Sequence, residues 1–214
     1  MNKKFFTILL TSLTLATNAS SMIPLWSELV SIVKCNNHPA LRALIQTNLA
    51  QTKFNLANMQ HFNTGISPLH SAAQLGHVEC LSTLLEEGAL VNIADHFQHT
   101  PLHYAAHEGK VECVKELIKH EAYVNCQNRL KQTPLHLAAI KGHDACVKIL
   151  VENGAKTMAF DESGQTPAVV AAKHGHTQLA EILTLIARQT QQPINPLPKA
   201  RRFPFGKFSI GKKS

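Results

Sequence analysis

The chain has 214 residues, 44% of them apolar, with only 10 glycines and 10 prolines, which suits one folded body with a real core and excludes a disordered polymer. The formal charge of +7 sits at the ends: Lys3 and Lys4 in front, then Arg188, Lys199, Arg201, Arg202, Lys207, Lys212 and Lys213 behind, with no acid after Glu181. The stretch between holds 12 basic and 14 acidic residues, so the high isoelectric point describes the ends and not the body.

The N-terminus reads Met1-Asn2-Lys3-Lys4, then an apolar run from Phe5 to Ala16, then Thr17-Asn18-Ala19-Ser20. This is the outline of a secretory signal peptide over residues 1–19, with the small residues Thr17 and Ala19 placing cleavage after Ala19. A frayed amphipathic helix is the plainer alternative. The run of about 12 residues falls short of the roughly 20 that cross a bilayer, and Pro24 interrupts any extension. From Pro24 to Ile45, Leu25, Trp26, Leu29, Ile32 and Val33 precede a break at Asn36-Asn37, and Leu41, Leu44 and Ile45 follow it. That spacing predicts two helices.

A period of 33 residues then governs the chain. It relates Ser67-Pro68-Leu69-His70, Thr100-Pro101-Leu102-His103, Thr133-Pro134-Leu135-His136 and Thr166-Pro167-Ala168-Val169. The same offset relates the pairs Ala72-Ala73, Ala105-Ala106, Ala138-Ala139 and Ala171-Ala172, and the glycines Gly76, Gly109, Gly142 and Gly175. Thr or Ser before Pro opens a helix, because the hydroxyl caps free N–H groups and Pro at the first helical position loses no bond. Paired alanines let helices approach closely, and the glycine turns the chain into a second helix, such as Val78-Glu79-Cys80-Leu81-Ser82-Thr83-Leu84-Leu85. On these features the chain resembles the ankyrin-repeat family, which implies an all-α solenoid of helix-turn-helix units with short extended fingers. Four repeats span residues 65–187. Residues 20–64 form a degenerate N-terminal capping repeat with a long finger: aligning Phe54-Asn55-Leu56-Ala57-Asn58 with Val91-Asn92-Ile93-Ala94-Asp95 makes that finger four residues longer. The finger glycine present as Gly65 and Gly164 is replaced by Gln98 and Lys131, so the central fingers are either reshaped or carry positive φ on ordinary residues at about 1 kcal/mol each.

Cys80, Cys113 and Cys146 also follow the period, with Leu179 in the fourth place, which makes them core thiols. Helices of adjacent repeats stand about 8 to 10 Å apart, beyond the roughly 7 Å that a disulfide spans, so these three do not bridge one another. Five cysteines without a framework suit a reducing compartment and sit awkwardly with the leader. The leader carries more weight, since buried thiols survive oxidising surroundings. The resemblance implies that the rings of His70, His103 and His136 tie neighbouring turns by hydrogen bonds, and that His77, His143 and His176 belong to the same scaffold. No zinc-ligand spacing, nucleophile elbow, P-loop or dinucleotide fingerprint appears, so neither a metal, a cofactor, a small-molecule substrate nor an enzymatic activity is expected.

The resemblance places a partner on the concave side, at the finger tips and late in each first helix. Carried over residue by residue, it implies His96, Phe97, His99, His107 and Glu108 in one repeat and Arg129, Leu130, Gln132, Ile140 and Lys141 in the next, flanked by Gln74, Leu75, Lys173 and His174. Phe97 and Leu130 occupy equivalent tips, an apolar row that either binds a protein or folds over neighbouring fingers. Residues 188–214 form a basic tail rich in Gln and Pro, disordered on its own. Its cations interleave with Phe203, Phe205 and Phe208, a pattern that suits an anionic membrane or nucleic acid, or else a solvated tail. The function expected is an exported scaffold for protein partners, periplasmic or secreted; the alternatives are a bacterial-type effector acting on host proteins in the host cytoplasm, and a binder of anionic surfaces through the tail.

Overall fold

The structure is a computed structural model that describes residues 19–52 and 55–191. The leader up to residue 18 and the tail from residue 192 lie outside the described residues. Ten α-helices run through the described chain: α1 (Ala19–Lys34), α2 (His38–Thr52), α3 (Pro68–Leu75), α4 (Val78–Glu86), α5 (Pro101–His107), α6 (Val111–Lys119), α7 (Pro134–Lys141), α8 (Asp144–Glu152), α9 (Pro167–Lys173) and α10 (Thr177–Gln191). Among the described residues there is no strand. The first helices α1, α3, α5, α7 and α9 pack in sequence as one layer, and α2, α4, α6 and α8 as a second. Between the layers runs a single core in which Leu29, Leu41, Leu69, Leu81, Leu102, Leu117, Leu135, Leu150 and Leu183 are all less than 2% exposed.

Each first helix starts where the Ser/Thr-Pro signal places it. Ser67, Thr100, Thr133 and Thr166 are extended, with φ between −86° and −98°, and Pro follows at the helix start. In the first three repeats the histidine three residues on completes the cap. Nδ1 of His70, His103 and His136 accepts the backbone N–H of Ser67, Thr100 and Thr133 at 3.1 Å. That leaves the proton on Nε2, which donates to the carbonyl of the following finger: His70 to His99 at 2.9 Å, His103 to Gln132 at 3.1 Å and His136 to Gln165 at 3.2 Å. All three rings are fully buried. A second histidine series donates backwards, with Nε2 of His143 on the carbonyl of His107 and Nε2 of His176 on that of Ile140. Gly109 makes room for one of these rings, since a Cβ there would stand 2.7 Å from Nδ1 of His143.

The core cysteines behave as the period implies. Cys80, Cys113 and Cys146 are free and at most 1% exposed, and burial pushes their thiols up to about 11, 12 and 11. Ala72, Ala73, Ala105, Ala106, Ala138 and Ala139 are fully buried between helices.

At the N-terminal end the structure departs from the sequence reading in two ways. Helix α1 runs through Pro24, which therefore does not interrupt the helix; its carbonyl accepts the Ser27 hydroxyl instead. The finger alignment also shifts. Asn92 and Asn125 each accept the N–H of a residue in the next repeat, Tyr123 and Lys156, and the residue that does the same in the first repeat, accepting Leu90 N–H at 2.7 Å, is Asn58. Asn58, not Asn55, is thus the equivalent of Asn92. The extra residues are taken up by a 3-10 turn at Leu56–Asn58, and the finger itself gains one residue: the turn closed by Asp95 N–H on the His99 carbonyl is closed here by His61 N–H on that of Ile66. At the other end α10 continues to Gln191, four residues past the boundary expected at residue 187, with Leu179, Leu183 and Ala187 as its buried side.

The central fingers are not reshaped. Gln98 has φ 63° and Lys131 φ 55°, beside φ 72° at Gly65 and 71° at Gly164. Glycine removes the Cβ clash of this conformation, so Gln98→Gly and Lys131→Gly are each expected to raise stability by roughly 0.5 to 1 kcal/mol, measured as a shift of the urea midpoint at unchanged slope.

Burial holds the His70 and His103 rings neutral, lowering each to about 4, and lowers His136 as well. Unfolded, these rings titrate near their ordinary value of about 6.5. Between about 4 and 6.5 the unfolded chain therefore binds more protons, and stability is full above that window and falls on acidification through it. The loss is on the order of 3 kcal/mol for each of His70 and His103. Urea unfolding at pH 7 and pH 4.5 tests this, and the His103→Asn variant should be less stable at pH 7 and lose less between the two pH values.

Candidate partner-binding face

Each finger is held by an acidic or amide side chain at its base. Asp95 Oδ1 accepts the N–H of Phe97 at 2.9 Å and of His99 at 2.7 Å. One repeat on, Asn128 Oδ1 accepts Leu130 and Gln132, both at 2.9 Å, and Asp161 Oδ1 accepts Gln165 at 2.8 Å. The fingers then join one another by a single backbone bond per step, His96 N–H to Thr64, Arg129 N–H to Phe97 and Glu162 N–H to Leu130. The tips therefore project at a fixed spacing in one row.

That row carries His96, Phe97, Arg129 and Leu130, all exposed. His96 packs back through Nδ1 to the Asn63 carbonyl. Phe97 is 59% and Leu130 53% exposed, so these tips do not fold over their neighbours. The guanidinium of Arg129 stands 5.9 Å from the centre of the Phe97 ring, at the outer limit for cation–π attraction, which steadies the ring without covering it.

Beside the row, fingers and first helices enclose a cleft of about 280 Å³ lined by Gln74, His99, His103, Tyr104, His107, Glu108 and Leu137. Its floor is a polar network. The Asp95 carboxylate, 2% exposed, takes the Tyr104 hydroxyl at 3.0 Å and faces Nδ1 of His99 at 3.4 Å. Nε2 of His99 accepts from the Asn128 amide at 3.0 Å, which puts the ring proton on Nδ1, towards Asp95. Asn128 also donates to Gln132 Oε1 at 3.2 Å. At the mouth, His107 and Glu108 pair at 2.9 Å. Burial, then the neighbouring Asp95 charge, pushes the Tyr104 phenol above its usual range, so it remains a donor throughout neutral and moderately alkaline pH.

The ten residues named from the sequence thus divide. His96, Phe97, Arg129 and Leu130 form the tip row; His99, His107 and Glu108 line the cleft. Gln132 is half-buried and spends its side chain on Asn128 and its carbonyl on His103. Ile140 and Lys141, at the end of α7, do not line the cleft, and the Ile140 carbonyl serves His176. Sequence reasoning missed Tyr104, Asp95 and Asn128. The recurrence of Asp95, Asn128 and Asp161 at the repeat period was a signal for the last two, whereas Tyr104 stands where other repeats have Ser71, Leu137 and Val170 and carried none.

The thiols offer no nucleophile here. Cys126 Sγ lies 3.8 Å from His103 Nδ1, but burial raises the thiol and lowers the ring to about 4, the wrong directions for a thiolate–imidazolium pair. Among the described residues no group of three or more His, Cys, Asp or Glu is placed to hold a metal ion.

A family model described as ankyrin repeats, in three copies, matches residues 29–128 and again 102–192. The chain belongs to the ankyrin-repeat family, whose members are typically protein-binding scaffolds without enzymatic activity. No curated protein matches it.

Tyr104→Phe removes a donor from a buried carboxylate. It should cost about 1.5 to 3 kcal/mol in urea unfolding, and a double-mutant cycle with Asp95→Asn should recover most of that as coupling between the two side chains.

Proposed function

We propose that this chain holds a protein partner across its concave side, with the Phe97–Leu130 row as the anchor and the cleft around Tyr104 as the polar part of the site. The observation that carries this reading is the exposure of two large apolar side chains on adjacent fingers whose backbones are fixed in register. Ordered apolar groups that nothing covers are typical anchors of an interface, and a preformed site spares the entropy of ordering it on binding. The cleft adds donors and acceptors in fixed positions: the Gln74 amide, the His107–Glu108 pair and the edge of His99.

The leader motif at residues 1–19 supports export of the scaffold to the periplasm or beyond the cell. A second reading, an effector working among host proteins in a reducing cytoplasm, is favoured by the free cysteines, of which Cys35 is exposed. Fractionation with N-terminal sequencing separates the two: a mature chain beginning at Ser20 in an oxidising compartment supports export, and an intact Met1 form in a reducing one supports the effector.

Affinity capture with the wild type beside a Phe97→Ala, Leu130→Ala double variant tests the binding face. Both side chains are exposed, so the variant should unfold at the wild-type midpoint while its partner affinity falls at least tenfold, about 1.4 kcal/mol or more. Equal recovery of the same partners by both proteins would place the interface elsewhere.

A further inference from the structure

The chain between its charged ends is nearly balanced, yet its charges are sorted by side. In the second helix layer every cation of α2, α4, α6 and α8 has an acid beside it: Arg42 pairs with Glu86, Lys115 with Glu112 at 2.7 Å, Lys119 with Glu116 at 3.0 Å and Lys148 with Glu152 at 3.9 Å. Arg129, Lys131, Lys141 and Lys173 differ. All four are exposed, and none forms an ion pair among the described residues.

These four lie on the side where a partner is expected. Arg129 and Lys131 flank Leu130 at its finger tip. Lys141 stands one repeat on from Glu108, and Lys173 two repeats on from His107, positions that line the cleft. They end α7 and α9, which pack on each other. The acids of the same units on this side are mostly engaged: Asp95 is buried under the Tyr104 hydroxyl, Glu108 pairs with His107, and Asp161 holds the Gln165 N–H. Glu162 alone is exposed without a side-chain partner among the described residues, so cations prevail there. Lys131 is also held at φ 55° where the last finger has Gly164. No ion pair or side-chain hydrogen bond of Lys131 offsets that strain.

Along the tips, apolar and cationic groups alternate as Phe97, Arg129, Leu130 and Lys131. The guanidinium of Arg129 meets the face of the Phe97 ring, which leaves its N–H fork open to a carboxylate. An occupant must satisfy both kinds of group. A sugar-phosphate chain brings anions but nothing apolar for Leu130, whereas an acidic peptide segment with aliphatic or aromatic side chains brings both. Packed helices such as α7 and α9 stand roughly 8 to 10 Å apart, which about three extended residues span at roughly 3.3 Å each. Carboxylates at that interval reach both Lys141 and Lys173.

We propose, resting on the partner-binding face described above, that the partner presents an acidic segment, with its carboxylates on Arg129, Lys131, Lys141 and Lys173 and its apolar side chains on Phe97 and Leu130. Random dodecapeptides displayed on phage and selected on the immobilised full chain test this. The enriched sequences should combine Asp or Glu with aliphatic or aromatic residues. As synthetic peptides they should bind at least tenfold more weakly to a Lys141→Glu, Lys173→Glu variant and to the Phe97→Ala, Leu130→Ala variant, and more weakly as salt rises from about 50 to about 500 mM. Both lysines are exposed, so the charge-reversed variant should unfold at the wild-type urea midpoint. Neutral or basic peptides that require Phe97 and Leu130 would overturn the acidic segment while leaving the binding face in place. Peptides that bind the Phe97→Ala, Leu130→Ala variant unchanged would remove the face itself, and the acidic segment with it. Acidic peptides indifferent to Lys141→Glu with Lys173→Glu would overturn the proposal, as would the absence of any enrichment. A fluorescein-labelled oligothymidylate that binds the same lysines more tightly than the peptides would overturn it in favour of nucleic acid.

Discussion

The structure depends on one arrangement above all, a buried imidazole that accepts from its own helix start and donates to the next finger. The two bonds are incompatible with a protonated ring: Nδ1 must be bare to accept, and Nε2 must carry the hydrogen. One residue therefore caps a helix, fixes the tautomer and welds two units, all in a water-free position where any lost bond is costly. Helix entrance and repeat stacking are the same event. The close helix approach at the alanine pairs then follows, because the first helices are already set at one spacing.

The face proposed to bind a partner inherits its rigidity from that scaffold. His99 and Gln132, whose carbonyls receive the His70 and His103 rings, are also the closing residues of the fingers that raise Phe97 and Leu130. Behind them, Asp95 and Asn128 gather the finger backbones, and Tyr104 adds the first-helix layer to the same network. The tips are thus apolar and uncovered while everything beneath them is polar and satisfied. That contrast separates the exposed tips from the framework that holds them.

Most of the fold was legible in the sequence because its determinants are local and repeated: Thr-Pro entrances, alanine pairs, turn glycines and core cysteines all show themselves by a shared offset. The first repeat was misaligned because its extra residues form a 3-10 turn that puts Asn55 where an equivalent asparagine is expected, and only the Asn58 bond to Leu90 reveals which asparagine is equivalent. The tip row could be placed from Phe97 and Leu130. The cleft could not, since it is assembled from three units and centred on Tyr104, which looks like any other variable position until α3, α5 and α7 stand side by side. Gln98 and Lys131 were ambiguous for a different reason. A strained backbone leaves no trace in a sequence except the absence of glycine, and absence is equally consistent with a different turn.

The histidine bonds also give the stack a direction. The units that open at Thr100 and Thr133 each offer a ring proton forward and a finger carbonyl backward, so one of them removed or duplicated as a whole block leaves its neighbours chemically matched. Val169 breaks that exchange, and a block copied onto the end would meet a side chain with nothing to offer its finger. Growth and loss of units by recombination are therefore chemically matched in the interior, whereas a block copied behind the Thr166 unit would lack its joining bond.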